Sequence, residues 1–217
     1  ENNMETPKFP TTVYAEMTPN PATMKFMVDR QLVSELHQLD FLNAQEAKVC
    51  SPLAAELFNF PFVTGVFISG NIVSVSKDES LGWEMIVMQL REYIREWLVD
   101  NEFAVTEDKI SELSALSDST GQEGKSAVTI ETLIESENLS PTEFDQQIGA
   151  LLNEFVRPAV EQDGGAIDFV GFKEGVVYVQ LRGACAGCPS STETLKGGIE
   201  TLLSSKIEEV NEVVAIA

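Results

Sequence analysis

Two cysteines, Cys185 and Cys188, lie in the run Leu181-Arg-Gly-Ala-Cys-Ala-Gly-Cys-Pro-Ser-Ser191. With two residues between them, both sulfurs can face one side and clasp one metal centre, or work together as a dithiol. The run follows a predicted strand and opens a predicted helix with Pro189 at its first position. Amides at a helix N-terminus stabilise the thiolate, the form that binds metal or attacks a disulfide. Gly183 and Gly187 let the backbone turn sharply and approach sulfur or a bulky ligand closely.

Two thiolates leave a tetrahedral zinc site or a common iron-sulfur cluster half complete, since each takes four ligands. The chain supplies one histidine, His37, and one further cysteine, Cys50, both far away in sequence. The ligand count therefore points to two chains contributing one pair each across a homodimer. Such a centre is exposed and easily opened, which suits a cargo that is passed on. A structural zinc clasp and a thioredoxin-like dithiol stay open on spacing alone, although Ala184 stands where a thioredoxin motif usually carries an aromatic residue.

Other candidates read as structural. Cys50 precedes a helix start and is expected to be a small buried side chain. His37, on the flank of an apolar segment, is expected to be a satisfied structural residue. The six methionines all fall within residues 1–102, where core filling is expected, Met85 and Met88 on a long helix included. Arg182, three positions before Cys185, is a candidate to offset the charge of a thiolate-bound centre or, equally, a solvated strand-end residue.

The elements that must position these residues predict an α+β fold of two small two-layer domains joined by a flexible acidic linker, with boundaries at 1–102, 103–140 and 141–217. In the first domain, strands are expected at Thr12–Met17 and Met24–Val28, and a short helix opens at Ser51-Pro52 and runs through Leu57. Phe62–Ser69 and Ile72–Ser76 form a hairpin about Gly70-Asn71, and an amphipathic helix covers Trp83–Val99 with Ile86, Met88, Leu90, Ile94, Trp97 and Leu98 on its apolar face. Residues 103–140 are rich in Ser, Thr and acids and read as linker, mobile around Ser117–Ser126, with a short amphipathic turn at Val128–Glu137.

The last 77 residues predict the order α-β-β-α-β. Ser140-Pro-Thr-Glu143 fits a capping box, followed by Phe144, Ile148, Leu151, Leu152, Phe155 and Val156 at helical spacing, with a stop at Asp163-Gly164-Gly165. Strands follow at Ile167–Phe172 and Val176–Leu181, then a helix carrying Leu195, Ile199, Leu202, Leu203 and Ile207, then a strand at Val210–Ile216.

The chain has 217 residues, 14 basic against 35 acidic, for a net charge of −21. Such a surface repels phosphate backbones and anionic lipid, so nucleic-acid and membrane partners are not expected. The three segments carry nets of −8, −6 and −7, so the acidity is diffuse and reads as solubility. With no apolar run of spanning length, no leader pattern and three cysteines, the protein is expected to be soluble and cytoplasmic.

Three segments, Arg157-Pro-Ala-Val-Glu-Gln-Asp-Gly-Gly165, Val177 through Ser191, and Thr194-Leu-Lys-Gly-Gly-Ile-Glu200, resemble the C-terminal domain of NifU, the Nfu-type iron-sulfur scaffold. Thr18-Pro-Asn-Pro-Ala-Thr-Met-Lys-Phe26 and Gly65 through Lys77 resemble the Nfu N-terminal domain. The resemblance implies a non-enzymatic carrier that holds a 4Fe-4S cluster between the Cys185 and Cys188 pairs of two subunits, a 2Fe-2S form being admitted as well. It would take its cluster from assembly machinery and deliver it to apo iron-sulfur client proteins. The alternative function is a thiol-disulfide oxidoreductase with Cys185 as nucleophile and Cys188 as resolver.

Overall fold

The structure is a computed structural model that describes residues 8–34, 37–117, 134 and 137–216. The chain divides into two compact units, Glu1–Gln122 and Glu123–Ala217.

The first unit is built on an antiparallel sheet of β1 (Val13–Met17), β2 (Thr23–Val28), β3 (Gln38–Phe41), β4 (Val63–Ser69) and β5 (Ile72–Lys77), in the order β1-β2-β5-β4-β3. Alternation sends Met24, Phe26 and Val28 with Val66, Ile68, Val73 and Val75 into one core. Helices α1 (Ala44–Cys50), α2 (Pro52–Leu57) and α3 (Trp83–Asp100) join that core. On α3 the buried residues Ile86, Leu90, Ile94 and Leu98 recur every four positions, a single apolar stripe. Met85 and Met88 therefore turn outward, 68% and 57% exposed, and do not fill the core as the sequence reading expects.

Ser51 explains why α1 and α2 are separate helices. Its hydroxyl oxygen accepts from the Ala54 amide as the N-cap of α2, with Pro52 at the first position. The same hydroxyl donates to the Ala104 carbonyl, 2.9 Å, and the Thr106 amide donates to the Cys50 carbonyl, 2.7 Å. Ala104 and Val105 are buried, so packed structure continues past residue 102, through α4 (Ile110–Ser117). The segment around Ser117–Ser126 and the turn at Val128–Glu137 fall largely outside the described residues.

The second unit has the order α-β-β-α-β. Its first helical stretch comprises α5 (Asp145–Leu151), a π-helical turn (Leu152–Val156) and α6 (Arg157–Gln162), and it is followed by β6 (Gly165–Lys173), β7 (Val176–Gly183), α7 (Pro189–Lys206) and β8 (Glu212–Ile216). β6 and β7 pair antiparallel and β8 pairs parallel to β7. The core joins Ile148, Leu152, Val156 and Val160 from the first helical stretch to Ile199 and Leu203 of α7 and to Val177, Val179 and Leu181 of β7.

Two local expectations are corrected here. The helix starts at Asp145, not after Ser140; the Thr142 hydroxyl instead donates to the Asp145 carboxylate. Phe155 is 52% exposed and lies outside the core. Pro158 has no amide hydrogen and its ring crowds the carbonyl four residues back, so the preceding turn widens. That π-turn keeps Leu152 and Val156 facing inward while Phe155 faces solvent.

Candidate metal centre

β7 delivers the chain to Gly183, and the loop 184–188 carries it to α7, with Cys188 as the N-cap residue and Pro189 at the first helical position. Gly183 and Gly187 have φ of +63° and +73°, the left-handed values that glycine adopts at little cost. The Ala186 amide donates to the Gly183 carbonyl, 3.1 Å, closing a tight turn, and the Ala184 amide donates to the Gly164 carbonyl, 3.2 Å. The loop is thus strapped to the segment that links α6 to β6. From α7, the Thr192 amide donates to the Cys188 carbonyl, 2.9 Å, and its hydroxyl to the Cys185 carbonyl, 3.3 Å.

Neither Cys185 nor Cys188 is in a disulfide, and they are 8% and 9% exposed. The Ser190 hydroxyl lies 3.4 Å from the Cys188 sulfur. Burial, and second the Asp163 carboxylate, push the Cys185 thiol up to about 11. In the metal-free protein this thiol holds its proton at neutral pH, and a bound cation must displace it. An attacking thiol of a disulfide oxidoreductase works best ionised near ambient pH, so this environment disfavours that alternative.

Among the described residues, no cluster of three or more His, Cys, Asp or Glu side chains is arranged to hold a metal ion. The pair therefore offers soft sulfur ligands suited to iron-sulfur or zinc chemistry, and only half of a four-ligand set. The Arg182 guanidinium binds the Asp168 carboxylate through Nε at 2.9 Å and Nη2 at 2.7 Å. Cys50 is fully packed in the first unit's core, its thiol pushed up by burial. His37 pairs through Nδ1 with the Ser34 hydroxyl at 2.8 Å. Asp163 and Ser190 carry no motif that marks them in the sequence, where Asp163 stands only as part of a helix stop. No helix among the described residues is long and apolar enough to cross a membrane.

Residues 148–214 match the family model described as NifU-like domain, and residues 13–101 match the one described as scaffold protein Nfu/NifU N terminal. Over 201 residues the chain is 31% identical to a Drosophila virilis protein named NFU1 iron-sulfur cluster scaffold homolog, mitochondrial, covering 93% of this chain and 60% of that protein. Over 207 residues it is 32% identical to an Arabidopsis thaliana protein named NifU-like protein 4, mitochondrial, covering 93% of this chain and 64% of that protein. The chain spans less than two thirds of the length of either relative.

Proposed function

The chain belongs to the NifU-like family, joining an Nfu/NifU N-terminal scaffold domain to a NifU-like domain, and from that membership we propose that it is a non-enzymatic carrier of an iron-sulfur cluster. The observation that carries the reading is that Cys185 and Cys188, neither in a disulfide, are held together at the start of an 18-residue helix with half the ligands a cluster takes. Two subunits would each contribute one pair to a bridging 4Fe-4S cluster, a 2Fe-2S form being the smaller variant of the same arrangement.

The chemistry is ligand exchange without net redox. On loading, Cys185 and Cys188 each lose a proton and form one iron-sulfur bond. On delivery, a client thiolate forms a new bond to the same iron, the bond to Cys185 or Cys188 breaks, and the departing thiolate recovers a proton. Apo iron-sulfur proteins are the recipients and cluster-assembly machinery the donor. The reading requires a compartment that keeps thiols reduced; the cytoplasm expected from the sequence is retained as part of the proposal.

Anaerobic reconstitution of the full chain with iron and sulfide tests this. The unsubstituted chain should gain sulfur-to-iron charge-transfer absorption, and Cys185→Ser and Cys188→Ser should each lose most of it. A chain that stays colourless while reducing a test disulfide, or one isolated with stoichiometric zinc, would sink the carrier reading.

A further inference from the structure

Gly165 opens β6 directly opposite Gly183 on β7, and its φ lies outside the left-handed region, unlike that of Gly164 at +81°. Its backbone conformation is thus one that any residue adopts, and the reason for a glycine must be space. A methyl group at Gly165 would lie 2.7 Å from Cys185 Sγ, 2.8 Å from the Arg182 carbonyl oxygen and 3.0 Å from the Cys185 amide nitrogen. Two of those three neighbours are backbone, held by the strand pairing and by the Ala184 to Gly164 hydrogen bond, and cannot swing aside. The sulfur is the only movable atom of the three.

From this geometry we infer that Gly165 is a positioning residue for the candidate centre: its bare Cα forms the floor on which the Cys185 sulfur rests, fixing where that thiolate presents itself to the cluster. The inference rests on the carrier reading for its functional meaning, but the contact itself exists in the metal-free chain. Any side chain at 165 drives the sulfur off this seat, because the backbone wall behind it does not yield. The pairing of Gly164 with Gly165 then has two separate causes, a left-handed helix stop at the first and a ligand seat at the second.

Two measurements on the full chain test it. The first is a double-substitution cycle on the thermal stability of the metal-free protein, comparing Gly165→Ala in the parent and in a Cys185→Ala background. The two backbone contacts persist in both backgrounds, so the sulfur's share is read as the coupling: removing the sulfur must relieve a measurable part of the loss, and strictly additive effects would overturn the inference. The second compares cluster release to a chelator from reconstituted parent, Gly165→Ala and Gly171→Ala. Gly171 lies on the same strand, and the nearest atoms to a methyl there belong to the Leu139 side chain, at 3.0 Å and beyond. Release from Gly165→Ala should be about 10- to 100-fold faster, as for loss of a ligand-orienting contact, with a shifted charge-transfer band. Gly171→Ala should behave as the parent. Equal release from Gly165→Ala and parent would overturn the positioning role. If the parent takes up no cluster, the carrier reading fails, while the stability cycle still decides whether Gly165 seats Cys185.

Discussion

At the residue scale, three cysteines of one chain meet two kinds of surroundings. Cys50 sits among apolar side chains of the first unit, and burial alone raises its thiol above the ordinary 9.0. Its folded value lies above its unfolded value, so the contribution to stability is complete below about pH 9 and is lost as pH rises through the folded value. Native chain should therefore show no iodoacetamide labelling at Cys50 near neutral pH and full labelling in denaturant, with the Cys50 contribution to stability lost in the alkaline range; rapid native labelling would contradict the packing. Cys185 and Cys188 are just as free of disulfides, yet they lie in a loop tied by backbone hydrogen bonds to the Gly164 carbonyl and to α7. That tie, and not exposure, separates the proposed ligand pair from the core cysteine.

At the element scale, the first helical stretch of the second unit shows what a helical period does and does not determine. Leu152 is buried and Phe155 half exposed, with a π-turn between them and Pro158. Leu152→Ala should cost about 2–5 kcal/mol of unfolding free energy, as a core truncation does. Phe155→Ser should stay within about 1 kcal/mol, well below the cost of a core aromatic. Denaturant unfolding of both variants checks this, and a larger loss at Phe155 would contradict the widened turn. In the first unit, Ser51→Ala removes both the α2 cap and the bond to Ala104, and should cost about 1–2 kcal/mol. Thermal unfolding reads that loss directly. These elements also mark how far the fold was legible. The period-two runs, the Gly70-Asn71 hairpin and the Ser51-Pro52 cap state their structure locally, and the structure follows them. β3 and α1 were not read, although Asn43 and Glu46 form a capping pair, with Asn43 Oδ1 accepting from the Glu46 amide at 2.9 Å. The Phe155 position depends on a proline three residues later, and the burial of Ala104 on a hydroxyl 53 residues earlier. Neither is a property of a local window. The cysteine loop was legible because spacing and flanking glycines carry it; the Gly165 seat was not, since only the third dimension brings that Cα to the sulfur.

At the scale of the whole molecule, the net charge of −21 becomes a property of assembly. Residues 141–217 alone carry −7, so the two copies of the proposed dimer would repel one another on meeting at their cysteine loops. Salt screens that repulsion over about 8–10 Å at ionic strengths of 0.1–0.15 M. A cluster-bridged pair should accordingly survive size-exclusion chromatography better as salt is raised from low to physiological levels. A dimer that weakens with salt would instead be held by ion pairs between the copies. In the proposed dimer such a weakly repelling pair would come apart once its shared ligand is taken, which is the behaviour a carrier requires. The central claim is that one cluster completes its ligand set from two copies of Cys185 and Cys188. Native mass spectrometry of the anaerobically reconstituted full chain tests it most directly. A bridged carrier gives a species of two chains with one 4Fe-4S or 2Fe-2S cluster, reverting to single chains in Cys185→Ser. A single chain holding a complete cluster, or a cluster-bearing dimer that persists in Cys185→Ser, would contradict it.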